Sequence, residues 1–161
     1  MHIRRLKPDF AVSDMPGPDD FDALQAAGFR TLINFRPDGE APGQGPSKAL
    51  QALARRVGLT CIHIPATKFE LFTDVVVDAA RDAIAHAQGP VLGFCASGQR
   101  AAIIWAAAAA RDHSVSQILA ILKTAGFDLG FLRDDLEAQA GRSQWHAGNV
   151  SAMTAQEFEA A

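Results

Sequence analysis

A cysteine, a glycine and an arginine lie close together in the middle of the chain, at Cys95, Gly98 and Arg100. A cysteine thiolate is a strong nucleophile, and a helix N-terminus or a nearby fixed cation stabilises it. Small residues between Cys95 and Arg100 allow a tight loop whose main-chain N–H groups point inward, with Gly98 at a positive φ. We interpret Cys95 as a nucleophile and Arg100 as its anion-binding partner. The intervening residues, interpreted as an anion-binding loop, are Ala96, Ser97, Gly98 and Gln99.

The spacing Cys-x-x-Gly-x-Arg resembles the six-residue active-site loop of rhodanese-type sulfurtransferases. It is one residue shorter than the loop of protein tyrosine and dual-specificity phosphatases, and Ala101 stands where that longer loop needs arginine. A shorter loop closes a smaller ring of N–H donors, which favours a persulfide sulfur over a phosphoryl group. This interpretation requires Cys95 to be open to solvent, with the amides directed at its sulfur.

Three further residues are candidates for the site. Arg36 follows a predicted strand and could reach the anion, although a self-bonded turn around Asp38 explains the same residues. Asp74 and Glu70 are carboxyl groups that could act as the general acid of a phosphatase reaction, but Asp74 could instead cap the helix that follows it. The second cysteine, Cys61, lies in an apolar strand and is expected to be part of the core.

We expect neither a metal nor another cofactor. Four of the five histidines have no ligand spacing with one another or with a cysteine, and the fifth, His63, is expected on a face of the sheet. The four are His2, His86, His113 and His146. Zinc sites need such clusters of nitrogen, sulfur or carboxylate ligands.

Strands alternate with helices along the chain. The predicted strands cover residues 10–13, 31–35, 60–64 and 91–94, and the predicted helices cover 19–27, 47–57, 74–88, 100–111, 114–126 and 128–140. Ser47 and Ser114 are predicted to cap the helices that begin at those positions. This alternation is typical of an α/β domain with a central, mostly parallel sheet of about four strands flanked by helices. The loop that begins at Cys95 then lies at the carboxyl end of a strand, where open α/β sheets bind ligands. We predict one domain over residues 1–140 and a C-terminal tail over 141–161.

Residues 26–40, 63–65 and 89–100 together resemble a known family, and the likeness extends roughly over residues 8–136. The family is the phosphatase-like domain of β-lactamase-hydrolase-like proteins, formerly a domain of unknown function. The resemblance implies a dual-specificity-phosphatase-like fold and sulfurtransferase activity, sometimes in fusion with persulfide dioxygenases or sulfide-oxidising enzymes. The chain departs from the family at Ala96 and Ala101, which replace an arginine and a serine, and Phe94 replaces the histidine of phosphatases.

Three functions are compatible with these residues. The favoured hypothesis is a sulfurtransferase that moves sulfane sulfur from thiosulfate or a glutathione persulfide to a thiol or cyanide, through a persulfide on Cys95. The alternative is a cysteine-dependent phosphatase with a thiophosphate intermediate and Asp74 or Glu70 as acid. The third is a non-catalytic module that binds persulfides or anions for a partner, such as a sulfide-oxidising enzyme or a persulfide dioxygenase.

Composition excludes several classes of partner. With 15 basic and 18 acidic side chains the net charge is −3, which argues against a nucleic-acid-binding surface. The apolar stretch 91–110 is interrupted by Gln99 and Arg100, so we expect no membrane span. The N-terminus lacks the apolar segment of a signal peptide, and we expect a cytoplasmic protein with reduced thiols.

Overall fold

Five strands form one mixed sheet in the computed structural model, which describes residues 1–142 of the 161 in the chain. The strands are β1 (Ile3–Lys7), β2 (Phe10–Ser13), β3 (Thr31–Asn34), β4 (Thr60–His63) and β5 (Val91–Phe94). Their spatial order is β1-β2-β5-β3-β4, with β1 antiparallel to β2 and the other pairs parallel. The predicted α/β class is therefore confirmed, and β5 lies at the centre of the sheet.

Helices cover both faces of the sheet. They are α1 (Asp20–Ala26), α2 (Ser47–Arg56), α3 (Asp74–Ala85), α4 (Gln99–Ala109), α5 (Val115–Thr124) and α6 (133–142), with a short 3-10 turn at Gly130–Leu132. Strand residues alternate between the two layers: Ile33 packs into the larger core and its neighbour Leu32 into the smaller one. The larger core includes α4, where every residue from Ala101 to Ala108 is buried.

The first strand is absent from the sequence-based prediction, which has about four strands. Arg4, Arg5 and Lys7 give β1 a charged, surface-like pattern. The structure accommodates two of these charges on aromatic rings, Arg4 over Phe127 and Arg5 over Phe29. Charged side chains on an edge strand also discourage pairing with another chain. The charged residues that kept β1 out of the sequence-based prediction are thus residues that suit an edge strand.

Helix ends follow capping rules in one case and depart from them in another. The hydroxyl of Ser114 accepts a hydrogen bond from the Gln117 N–H at 3.3 Å, which confirms the predicted cap of α5. Ser47 was predicted to cap α2, but Pro46 holds the cap position and Ser47 is the first helical residue. The Ser47 hydroxyl and N–H both donate to Asp38, at 2.8 and 2.7 Å.

The C-terminal helix extends further than predicted. Residues 133–142 are helical, so the helix continues two residues beyond the predicted domain end at 140. Residues 143–161 of the predicted tail lie outside the described part of the chain. Over residues 1–142 no helix combines the length and the apolarity needed to span a bilayer.

Candidate active site

Cys95 lies directly after the central strand β5. Its N–H donates to the Ser13 carbonyl at 3.4 Å, which continues the pairing of β2 and β5 by one residue. The side chain is only 1% exposed, whereas the next two residues, Ala96 and Ser97, are exposed. The expectation that Cys95 is open to solvent is therefore wrong for this structure, because the residue packs into the larger apolar core.

Gly98 provides the contact that the loop was expected to make. Its N–H donates to the sulfur of Cys95 at 3.2 Å. Gly98 has φ +87°, and a Cβ there would lie 3.1 Å from the carbonyl carbon and 3.2 Å from the carbonyl oxygen of Ser13. Only glycine meets both conditions without strain. A neighbouring amide is used differently, because the Gln99 N–H is directed to the Ser97 hydroxyl at 3.5 Å.

The Arg100 guanidinium joins the loops that follow β3 and β4. It donates to the Ala66 carbonyl at 2.8 Å and to a carboxylate oxygen of Glu40 at 2.6 Å. Its side chain is 17% exposed. Arg100 was expected to fold over the anion-binding loop. In the structure two neighbouring loops hold it instead, the loop after β3 through Glu40 and the loop after β4 through Ala66.

Glu40 also binds Arg36, and so places the Arg36 side chain beside that of Arg100. The second carboxylate oxygen of Glu40 lies 2.9 Å from Nε of Arg36, so one carboxylate is shared by two guanidinium groups. The Arg36 main chain is fixed by two further contacts: its N–H donates to Oδ1 of Asn34 and its carbonyl faces Nε2 of His63, both at 2.9 Å. The structure therefore joins Arg36 to Arg100 through Glu40.

The pKa values of the three carboxyl groups on these two loops all lie below the usual range. Burial raises the pKa of Glu40, but hydrogen bonds from Arg100 and Arg36 outweigh it and leave the pKa below its usual range. The hydrogen bonds from Ser47 lower the pKa of Asp38. Those from Thr67 lower the pKa of Glu70, whose carboxylate accepts the Thr67 N–H at 2.8 Å. Ionised carboxylates accept hydrogen bonds and cannot donate a proton.

Asp74 lies in a different part of the molecule from Cys95. It is the first residue of α3, after the cap residue Thr73, and its carboxylate pairs with Arg111 at 3.0 Å and with Arg142. Arg111 follows the C-terminal end of α4, whereas Arg100 is in the first turn. About 15 Å of helix axis separates the two ends of α4. The structure does not bring Asp74 to the cysteine loop.

Arg111 explains what Asp74 does there. Its side chain is 5% exposed and also donates to Oε1 of Gln139 at 3.0 Å. Gln139 donates in turn to the Phe72 carbonyl at 2.9 Å. The Asp74 carboxylate neutralises the buried Arg111 guanidinium and links α3 to α4 and α6. This role of Asp74 is structural.

Cys61 is placed as expected, in β4 and packed against the smaller apolar core. Burial raises the pKa of its thiol to about 11. No group of three or more His, Cys, Asp or Glu side chains within residues 1–142 is arranged to hold a metal ion.

Sequence reasoning missed Glu40 as a residue of the site. It treated the segment from Arg36 to Glu40 as a turn, and Asp38 does bond locally to Ser47. The signal available was the i, i+4 spacing of opposite charges, which is usually read on helices but here occurs in a loop. The partner Arg100 is 60 residues further on, so no local pattern reveals it.

Comparison with known proteins adds the family context. A family profile described as "Beta-lactamase hydrolase-like protein, phosphatase-like domain" matches residues 2–112. Beta-lactamase hydrolase-like proteins are 37% identical to this chain in Xylella fastidiosa and 33% identical in Agrobacterium fabrum. Each alignment spans 142 residues, 87% of this chain and 33% of the relative. The chain thus spans about a third of the length of these curated relatives.

Solved structures agree on the fold. A Neisseria meningitidis protein assigned as a candidate phosphatase has a TM-score of 0.75 and 27% identity, over 86% of this chain and 99% of its own. Kinase-associated phosphatase has a TM-score of 0.68 at 14% identity, over 89% and 96%. The second likeness concerns the fold alone, which is that of dual-specificity phosphatases.

Proposed function

We propose a sulfur-transfer function for this chain, which belongs to the family of phosphatase-like domains of beta-lactamase hydrolase-like proteins. The Cys95 thiolate attacks the outer sulfur of thiosulfate or of a glutathione persulfide. A sulfur–sulfur bond forms on Cys95, the sulfur–sulfur bond of the donor breaks, and sulfite or a thiolate leaves with the electron pair. A thiolate or cyanide then takes the outer sulfur and restores the Cys95 thiolate.

The observation that carries this proposal is that each carboxyl group on the loops after β3 and β4 already accepts hydrogen bonds: Asp38 from Ser47, Glu40 from Arg36 and Arg100, and Glu70 from Thr67. The pKa values of Asp38, Glu40 and Glu70 are all lowered by their hydrogen-bond partners. A general acid must hold a proton near the working pH. Sulfite and thiolates leave as anions and need no such donor, whereas the alkoxide of a phosphate ester does. The loop surroundings therefore suit sulfur transfer better than ester hydrolysis.

The contact between Gly98 and Cys95 supports the same chemistry. An N–H group directed at sulfur stabilises a thiolate before the attack and a persulfide anion after it. The loop is one residue shorter than that of phosphatases, which leaves a smaller ring of amides. The sequence-based interpretation required an open thiol, whereas Cys95 is 1% exposed, so sulfur transfer requires the residues around the thiol to move. A donor whose reacting atom is terminal and unhindered, as the sulfane sulfur of thiosulfate is, needs the smallest such movement.

The second candidate is a cysteine-dependent phosphatase. The description of the family and the fold of the solved phosphatases lie nearer to this function than to sulfur transfer. In this case Cys95 forms a thiophosphate and Arg100 binds phosphoryl oxygens. The acid would have to come from a residue other than Asp74, which pairs with Arg111. The third candidate, a non-catalytic module that presents a bound persulfide to a sulfide-oxidising enzyme or persulfide dioxygenase, needs Cys95 but no turnover.

Two assays on the same preparation separate these candidates. Thiocyanate formation from thiosulfate and cyanide reports sulfur transfer, and release of an aryl alcohol from its phosphate reports phosphatase activity. We expect the first activity in the wild type, its loss in Cys95→Ser, and its retention in Cys61→Ser, the matched control. Aryl phosphate turnover that exceeds thiocyanate formation and also needs Cys95 would establish the phosphatase instead. Absence of both activities would leave the binding module.

A further inference from the structure

The Glu40 carboxylate lies between two guanidinium groups, in the position that a bound anion would occupy. Its two carboxylate oxygens are divided between Arg100 at 2.6 Å and Arg36 at 2.9 Å. The three side chains are partly exposed, at 29%, 17% and 15% for Glu40, Arg100 and Arg36. A dissolved anion can therefore reach the group without unfolding of the surrounding loops.

The arrangement has an excess of positive charge. Two guanidinium groups and one carboxylate give a net charge of +1. Arg36 is anchored through its main chain to Asn34 and His63, and Arg100 is anchored through the Ala66 carbonyl. When the carboxylate leaves, the Arg100 guanidinium keeps its hydrogen bond to the Ala66 carbonyl and the Arg36 guanidinium keeps its contact with the sulfur of Met15 at 3.0 Å. Glu40 lies on the glycine- and proline-rich loop after β3, and within residues 1–142 its carboxylate bonds to these two arginines alone.

We propose that Arg36 and Arg100 form a two-guanidinium site for the sulfonate end of a thiosulfate-type donor, and that Glu40 occupies this site until the donor displaces it. The inference rests on the proposed sulfur-transfer function and names its donor class. A sulfonate, like a carboxylate, carries several oxygens on one atom and can accept hydrogen bonds from two guanidinium groups at once. The whole thiosulfate ion carries two negative charges, whereas the Glu40 carboxylate carries one.

The proposal distinguishes two donors. Thiosulfate carries its transferable sulfur on a sulfonate, so the oxygens bound by Arg36 and Arg100 position the sulfur that reacts with Cys95. A glutathione persulfide has no oxygen on its sulfur atoms, so the two guanidinium groups cannot position its transferable sulfur through a sulfonate. Arg36 is therefore a specificity-determining residue for thiosulfate.

The test measures anion binding apart from catalysis. Sodium sulfate, an inert probe for the sulfonate, is titrated calorimetrically into the Cys95→Ser protein at constant ionic strength. The same titration is made on three double variants, in which Cys95→Ser is combined with Glu40→Gln, with Arg36→Gln or with Glu137→Gln. Glu137 is 57% exposed and faces Arg133 at 3.9 Å, so its change removes the same charge from an ion pair of a different helix.

We expect Glu40→Gln to lower the sulfate Kd about threefold and Arg36→Gln to raise it about threefold, changes typical of one partly exposed charge pair. Glu137→Gln should leave the Kd unchanged. In the protein with Cys95 intact, Arg36→Gln should raise KM for thiosulfate and leave KM for glutathione persulfide unaltered.

Three results would overturn the proposal. One is weaker sulfate binding after Glu40→Gln, because Glu40 would then position Arg100 rather than compete with the anion. The second is an unchanged Kd after Arg36→Gln, and the third is a lack of sulfate binding in all variants. If sulfate binds as expected but no sulfur is transferred, the proposed function fails while the anion site stands.

Discussion

The main-chain N–H of Gly98 lies 3.2 Å from the sulfur of Cys95 and donates to it. Gly98 can do so because it adopts φ +87° where the loop becomes the helix α4. The loop passes so close to Ser13 that a side chain at residue 98 has no room. The hydrogen bond to sulfur therefore depends on the backbone conformation of Gly98, and replacing this glycine should disturb both.

Gly98→Ala should remove most sulfur-transfer activity and lower the free energy of unfolding by about 1–2 kcal/mol, the cost of a left-handed backbone with a Cβ. Thiocyanate formation and urea unfolding measure the two effects. Gly141→Ala is the matched control, because residue 141 is helical and a Cβ there meets nothing within 4 Å. Near-wild-type activity and stability in Gly98→Ala would contradict the described loop geometry.

Asp74→Asn tests whether the ion pair with Arg111 is structural. Because Asp74 lies at the far end of α4 from Cys95, we expect kcat to stay within about twofold for sulfur transfer and for any aryl phosphate hydrolysis. Loss of a general acid would instead slow the phosphate reaction about 100-fold or more. Unfolding by urea should show a modest destabilisation, since Arg111 keeps a second carboxylate, Asp78, at 3.5 Å. Loss of the alkaline limb from the pH–rate profile of aryl phosphate hydrolysis in the variant would instead identify Asp74 as a proton donor.

The two cysteines should differ in reactivity. The pKa of Cys61 is raised to about 11 by burial, so only about 0.1% of it is thiolate at pH 8. We expect brief iodoacetamide treatment of the native protein to leave Cys61 unmodified, and any label to be on Cys95. Peptide mass mapping gives the site, and urea-unfolded protein, in which both thiols react, is the control. Labelling of Cys61 ahead of Cys95 would count against the assignment of the nucleophile.

Most of the fold follows from local patterns in the sequence. Strand β2 and strand β5 have the predicted bounds, and the helix after Ser114 is capped as predicted. Apolar alternation and capping residues act over a few positions, which is why they can be read from one sequence. The charged strand β1 breaks that pattern, since its partners Phe127 and Phe29 are distant in the chain.

The candidate site was predictable only in part. The residue types from Cys95 to Arg100 indicate a nucleophile and an anion-binding loop, and the Gly98 contact agrees with them. Burial of Cys95 and the binding of Arg100 by Glu40 depend on how separate loops pack. Asp74 was a candidate acid because of its position in the chain, but side-chain packing directs it to Arg111.

Acid should weaken the fold through Asp38. Its carboxylate accepts two hydrogen bonds from Ser47, which lower its folded-state pKa below the ordinary 3.8. A lowered folded pKa means that this stabilisation is complete above the unfolded pKa and is lost as pH falls through the folded pKa. Asp38→Asn should therefore reduce the loss of unfolding free energy on acidification below 3.8, measured by urea titration. If the unfolding free energy of Asp38→Asn and wild type fell equally with pH below 3.8, Ser47 would not lower the pKa of the Asp38 carboxyl.

The most direct measurement of the central claim is the intact mass of the protein after incubation with thiosulfate and removal of excess donor. The account predicts a gain of about 32 Da, one sulfur atom, that is reversed by cyanide. Peptide mapping should place the added sulfur on Cys95, and Cys95→Ser should gain nothing. An unchanged mass, or a sulfur found on Cys61, would contradict the account.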